Sequence, residues 1–85
     1  MRRERLSQDI RLMFSFDKQL KNQHNTRRYS ISTTDTGWEV REERDSKIVK
    51  KVRYQDWHRV ERARRSIAIE LDELQRKGWS EVPIN

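Results

Sequence analysis

The chain has 85 residues, of which 40% are charged and only 32% are hydrophobic, so the buried core of this protein must be small. Twenty Lys and Arg against 14 Asp and Glu give a formal charge of +6, which favours polyanionic partners such as nucleic acid. The chain has no Cys, which excludes disulfides and thiol chemistry, and it lacks the long apolar run that a secretory signal or a membrane span requires.

These limits lead to four expectations about the chain as a whole. We expect residues 1–85 to form one small domain, with residues 1–6 and 80–85 flexible. We expect a cytoplasmic protein, because the absence of Cys is compatible with a reducing compartment. We expect no membrane partner. Because the core is small, a homodimer that buries a further apolar face is an alternative to a monomer.

The first element, at residues 7–21, fits both the helical and the strand period. A helix would place five apolar side chains on one broad face: Leu6, Ile10, Met13, Phe14 and Leu20. A strand would place four on one face: Ile10, Leu12, Phe14 and Phe16. The length of the segment and the helix-forming run at residues 18–21 favour the helix, followed by a polar connection at 22–26.

Three strand-like runs follow at residues 28–34, 38–44 and 47–54. A turn at residues 35–37, which contains Gly37, and a two-residue turn at 45–46 separate them. The alternation of polar and apolar residues predicts an antiparallel meander with one buried face. The apolar face would contain Tyr29, Ile31, Trp38, Val40, Ile48, Val52 and Tyr54.

The most clearly specified element is a helix over residues 56–77. Asp56 is a favourable N-cap, because its carboxylate accepts hydrogen bonds from free N–H groups of the first turn. Gly78 predicts a Schellman stop, in which Trp79 contacts Leu74. Six apolar residues share the inner side of this helix: Trp57, Val60, Ala63, Ile67, Leu71 and Leu74. We therefore predict an α+β fold of order αβββα, with a three-stranded meander packed on the long C-terminal helix and an N-terminal helix beside them.

The sequence contains no pattern typical of a catalytic or metal site. His24 lies in a polar loop and His58 in the first helical turn, and neither is near a candidate nucleophile. His58 and Glu61 would supply two metal ligands, whereas a metal site needs three or four. We expect no enzymatic activity, no metal, no cofactor and no small-molecule substrate.

The outer face of the predicted sheet is basic. Arg28, Arg41, Lys51 and Arg53 point away from the helix in this interpretation, with Lys50 close by. These side chains are long enough to reach phosphates or to enter a major groove as a β-ribbon does. Glu39 and Glu43 lie on the same face, so an ordinary solvated face with cross-strand ion pairs is the alternative.

The outer stripe of the helix is also basic: His58, Arg62, Arg65, Ile69 and Arg76. Arginines are concentrated in the first half of the helix, although the macrodipole favours anions near the N-terminus. This placement indicates a role beyond helix stability, such as contact with phosphates or with acidic groups of a partner protein. A merely solvated face is the alternative.

The predicted order helix–strand–strand–strand–helix is similar in architecture to that of double-stranded RNA-binding domains. The three strands and following helix, with Trp38-Glu39-Val40-Arg41 on the middle strand, also resemble the integrase-type DNA-binding module. That resemblance implies a basic sheet that enters the major groove.

We expect a small, basic, non-enzymatic nucleic-acid-binding module that contacts phosphates. The predicted contact residues are Arg28, Arg41, Lys50, Lys51, Arg53, Arg62 and Arg65. The alternative is a protein-interaction or homodimerisation module that uses the N-terminal apolar segment and Ile69.

Overall fold

A computed structural model describes residues 15–84 of the chain. Its elements, in chain order, are β1 (Phe16–Asn22), β2 (Asn25–Thr33), β3 (Trp38–Arg44), β4 (Lys47–Tyr54), α1 (Trp57–Arg76) and β5 (Ser80–Val82). The strands form one five-stranded sheet in the order β4-β3-β2-β1-β5, and all neighbouring strands are antiparallel. The helix lies on one face of this sheet. Within residues 15–84, no helix is both long and apolar enough to span a bilayer.

The β3–β4 hairpin has the bounds that the sequence predicts. Its two turn residues, Asp45 at φ 52° and Ser46 at φ 69°, both adopt the left-handed conformation. Positive φ at both central residues is typical of the type I′ turn, which forms here without glycine. The Asp45 side chain also accepts a hydrogen bond at 2.9 Å from the backbone N–H of Thr26, which ties this turn to β2.

A bulge interrupts the pairing of β3 with β4 and changes which residues of β4 face the helix. Glu42 is opposite Lys50 and Glu43 is opposite Ile48, so Val49 is an extra residue in β4. The bulge turns Ile48 to the face away from α1, where it is 52% exposed, whereas Lys50 stays on the helix side with Val52. The prediction that Ile48 belongs to the apolar face is therefore wrong.

The helix begins and ends at the predicted signals. Asp56 is the N-cap, and its carboxylate accepts a hydrogen bond at 3.0 Å from the N–H of the second helical residue. At the other end, Gly78 has φ 105° and donates to the carbonyl of Gln75 at 3.1 Å. The N–H of Trp79 donates to the carbonyl of Leu74 at 3.0 Å, which completes the two hydrogen bonds of a Schellman motif.

The core lies between α1 and the sheet face that it covers. Its buried side chains are Leu20, Tyr29, Ile31, Trp38, Val40, Val60, Ile67 and Leu74. At one end of this core the rings of Trp38 and Trp57 meet with centroids 5.3 Å apart and planes tilted by 56°. Each fully buried large apolar side chain contributes about 1.5–3 kcal/mol relative to exposure, so these few residues supply most of the hydrophobic stabilisation.

The predicted αβββα order is wrong at the start of the described chain. Residues 16–21, expected as the end of an N-terminal helix, belong to strand β1. Strand period two puts Phe16 and Leu20 on the helix side, where Leu20 is 1% exposed. The rest of the expected helix, residues 7–14, lies outside the described residues, as do residues 1–6.

The tail over residues 80–85, which the sequence predicts to be flexible, begins with a strand. Ser80–Val82 forms β5, which pairs with residues 19–21 of β1. An ion pair at 3.0 Å between Lys18 and Glu81 accompanies this pairing. The sheet therefore has two strands more than the predicted meander. Strand β1 precedes the meander in sequence and β5 follows the helix, and both are added on the β2 side of the sheet.

Candidate nucleic-acid interface

The sheet face turned away from α1, which we call the outer face, carries four of the predicted contact residues. They are Arg28, Arg41, Lys51 and Arg53. Strand pairing puts Arg41 beside Lys51 and puts Glu39 beside Arg53. The structure thus brings these four cations to one face, and it also brings their acidic neighbours there.

Glu39 is the centre of an ion-pair cluster on the outer face. Its carboxylate lies 2.7 Å from the guanidinium of Arg41, 3.3 Å from that of Arg53 and 4.0 Å from the ammonium of Lys51. The Glu39 side chain is only 7% exposed, although it lies on the sheet face that α1 does not cover. The hydrogen bond from Arg41, together with that from Arg53 and the charge of Lys51, lowers the pKa of the Glu39 carboxyl below its usual range.

The fourth outer-face cation is also paired. Arg28 on β2 donates two hydrogen bonds to the carboxylate of Asp17 on β1, at 2.9 and 2.6 Å. This bidentate pair raises the pKa of the Arg28 guanidinium above its ordinary value. All four predicted contact residues on the outer face therefore have a carboxylate of the same protein within 4.0 Å.

Lys50 lies on the other side of the sheet, because it alternates with Lys51 and shares the helix side with Val52. There it lines a groove between β4 and the first half of α1, with a volume of about 380 Å³. Arg59 and Arg62, one helical turn apart on α1, line the same groove. All three side chains are exposed, and we call them the groove cations.

The groove cations differ from those of the outer face in having no acidic partner. Among residues 15–84, no carboxylate lies within 4.0 Å of any of the three. Two acids line the groove, but each pairs with an arginine outside it. Glu42 is 3.0 Å from Arg44, and Glu70 is 3.7 Å from Arg27. The groove therefore has an excess of uncompensated positive charge.

Arg65 extends this positive region along the outer stripe of α1. Its side chain is 75% exposed and lies 3.9 Å from Glu61, which is also 3.6 Å from Arg64. One carboxylate thus serves two arginines, which leaves one net positive charge. Arg62 and Arg65 line a second, shallower depression at the start of the helix.

Tyr29 lines the buried side of the groove and is 1% exposed. Its hydroxyl has no hydrogen-bond partner within the described part of the chain. Burial raises the pKa of this hydroxyl to about 12, so Tyr29 is neutral at physiological pH.

The sequence-based site contains Lys50, Arg62 and Arg65 but omits Arg59. The spacing of Arg59 and Arg62 on the helix was a signal for the missing residue, because positions three apart share a helical face. The groove itself had no signal in the sequence. It forms where the sheet packs against α1, and the packing of two elements has no local pattern in the sequence.

Over the described range, no group of three or more His, Cys, Asp or Glu residues is placed to hold a metal ion. The chain matches no known family profile, no characterised protein and no solved structure. Its function must therefore be inferred from its own side chains.

Proposed function

We propose that this protein is a small, non-enzymatic nucleic-acid-binding module whose main contact surface is the groove between β4 and the first half of α1. The observation that carries this proposal is the set of three groove cations, Lys50, Arg59 and Arg62, without a carboxylate within 4.0 Å among residues 15–84. Arg65 adds a fourth contact beside them.

The pairing of each cation decides how much it contributes to binding. An unpaired Lys or Arg releases condensed counterions when it contacts a phosphate, and this release drives binding. A cation that already binds a carboxylate must first give up that ion pair, as Arg41, Lys51 and Arg53 would have to leave Glu39. The outer-face residues of the predicted site therefore contribute less than the groove cations.

The contacts are to phosphates, so the protein distinguishes sequences weakly. Within the described residues, the groove cations are two arginines and one lysine, and the acids between them have their own partners. Phosphate contacts position a protein on a duplex without reading its sequence. We expect similar affinity for unrelated duplexes of equal length.

The first test compares two double variants of equal charge change. Lys50→Gln/Arg62→Gln removes two groove cations, whereas Lys51→Gln/Arg53→Gln removes two paired cations of the outer face. We expect the groove variant to bind a labelled duplex at least roughly tenfold more weakly at ~50 mM salt, and the outer-face variant to bind nearly as well as the unmodified protein. Fluorescence anisotropy with duplex DNA and duplex RNA measures both affinities.

Two results would contradict the proposal in different ways. If the unmodified protein leaves the anisotropy of both duplexes unchanged at ~50 mM salt, it is not a nucleic-acid-binding module. If the outer-face variant loses as much affinity as the groove variant, the groove is not the main contact surface. Circular dichroism spectra of both variants verify that each retains its fold.

A further inference from the structure

Strand β4 is an edge strand of the sheet that residues 15–84 form. In the strand order β4-β3-β2-β1-β5, β3 pairs with one side of β4, and no strand among residues 15–84 pairs with the other. The eight residues of β4 give this edge the length of an ordinary strand. The opposite edge, β5, has only three residues and is followed by Pro83, which cannot donate to a ladder.

The side chains of β4 give this edge a distinctive chemistry. It carries four cations and no acid in the run Lys47–Tyr54: Lys47, Lys50, Lys51 and Arg53. Beside them, Ile48 and Val49 are 52% and 53% exposed. An open edge, a cluster of positive charge and two adjacent exposed apolar side chains therefore coincide on one strand.

The charge of β4 disfavours a second copy of this chain as the added strand. Two β4 strands paired with each other would bring eight cations together, and only Lys51 and Arg53 of each copy have a carboxylate, that of Glu39, within 4.0 Å. Like charges opposite each other destabilise a strand pair. Edge lysines and bulges are also the usual protection against such self-association. An acidic strand, in contrast, would place a carboxylate near each lysine.

We propose that the free edge of β4 binds an extended acidic peptide segment of a partner protein as an added antiparallel or parallel strand. Backbone hydrogen bonds supply the pairing, acidic side chains meet the lysines, and apolar side chains at alternate positions cover Ile48 and Val49. This goes beyond the proposed nucleic-acid contact, because the partner is a protein segment and the recognition uses the β4 backbone.

The test uses an eight-residue peptide that alternates Glu and Val, titrated into the full chain without nucleic acid. We expect the free backbone amides of β4 to become protected from hydrogen exchange by NMR. Two matched peptides define the mode of binding. One has Lys in place of each Glu, and the other keeps the Glu residues but is methylated at every backbone nitrogen. Neither should protect β4, because the first repels its lysines and the second has no N–H donors.

A matched pair of protein variants locates the site. Lys47→Glu/Val49→Glu changes the β4 edge, and Lys21→Glu/Ile69→Glu makes the same types of change on other exposed positions. We expect the affinity of the first variant for the peptide to be at least about tenfold lower than that of the unmodified chain. The second variant should bind the peptide with unchanged affinity. Both leave the groove cations intact, so failure here is distinguishable from failure of the proposed nucleic-acid contact.

Three results would overturn the proposal. Equal protection by the fully methylated peptide would show attraction by charge alone. Protection confined to elements other than β4 would place the peptide elsewhere. Light scattering that shows a homodimer of the unmodified chain and a monomer of Lys47→Glu/Val49→Glu would mean that a second copy occupies this edge.

Discussion

The partner of each cation, rather than its residue type, separates the two basic regions of this protein. Glu39 holds three cations of the outer face, while Lys50 and its neighbours in the groove have no carboxylate within 4.0 Å among residues 15–84. A single glutamate thus sets the charge of most of a sheet face. Its own ionisation depends in turn on those cations, which lower the pKa of its carboxyl.

The depressed pKa of Glu39 predicts how stability changes with pH. A carboxyl whose pKa is lower in the folded state stabilises the fold above its unfolded pKa, near 4.3, and this contribution is lost as pH falls through the folded value. We expect Glu39→Gln to melt below the unmodified protein at neutral pH, and the difference between their melting temperatures to shrink as the pH falls from about 4.

Thermal melts from neutral to acidic pH measure this difference, with Glu73→Gln on the exposed side of the helix as the control. Glu73 makes no ion pair within the described residues, so its variant should follow the unmodified protein at every pH. A melting-temperature difference for Glu39→Gln that stays constant with pH would refute the role assigned to this carboxylate.

At the scale of elements, the connection between β2 and β3 depends on a close approach of two backbone segments. Gly37 ends the β2–β3 connection, where its carbonyl accepts a hydrogen bond at 2.8 Å from the N–H of Thr34. It is buried against the end of β4, and an added Cβ would collide with the backbone carbonyl oxygen of Tyr54. The lack of a side chain at this position lets β3 begin directly beside the end of β4.

We therefore expect Gly37→Ala to lower the free energy of unfolding by about 1–3 kcal/mol, because the colliding atom belongs to the backbone and has little room to move. Urea denaturation measures this loss. The exposed neighbour Thr36 supplies the control, since Thr36→Ala should change the free energy by no more than about 0.5 kcal/mol. Equal effects of the two substitutions would show that the close approach to the Tyr54 carbonyl does not restrict position 37 to glycine.

The bulge in β4 is the element-scale feature that most changes the exposed surface of this strand. Without Val49 as an extra residue, unbroken alternation would put Ile48 on the helix side together with Lys50. With it, Ile48 moves to the solvent beside Val49, and both become available to a partner. One additional residue thus creates the exposed apolar pair of the edge next to the positively charged groove.

For the molecule as a whole, the formal charge of +6 does not show where the unpaired cations lie. On the outer face Arg28, Arg41, Lys51 and Arg53 each have a carboxylate within 4.0 Å, whereas the groove cations have none among residues 15–84. This distribution fixes how strongly salt should weaken nucleic-acid binding, because each phosphate that the protein neutralises releases condensed counterions.

The number of phosphate contacts can be counted from the salt dependence of binding. Three groove cations and Arg65 predict a slope of about −4 for log K against log salt concentration on duplex DNA, whereas all seven sequence-predicted residues would give about −6. Lys50→Gln/Arg62→Gln should bring the slope to about −2. Anisotropy titrations over a range of salt concentrations measure it, and a slope near zero would contradict phosphate contact altogether.

Much of the fold was predictable because its signals are local. The cap at Asp56, the stop at Gly78 and the apolar spacing between them place the helix within one residue of its observed bounds. The bounds of β3 and β4 also agree with the alternation of their residues. For the candidate site, the sequence pointed to Arg62 and Arg65 by their place on the outer stripe of the helix, and to Lys50 because it lies beside the basic residues of the sheet.

What the sequence by itself determined about this protein is therefore the α+β class, the long helix and the two strands before it, because hydrogen bonds and side-chain periods within each segment specify them. The tertiary structure alone decided that residues 16–22 form a strand and that Ser80–Val82 pairs beside it. It also decided which cations Glu39 neutralises and that a bulge turns Ile48 away from the helix. These features depend on contacts between residues far apart in the chain, and no local pattern of residues specifies such contacts.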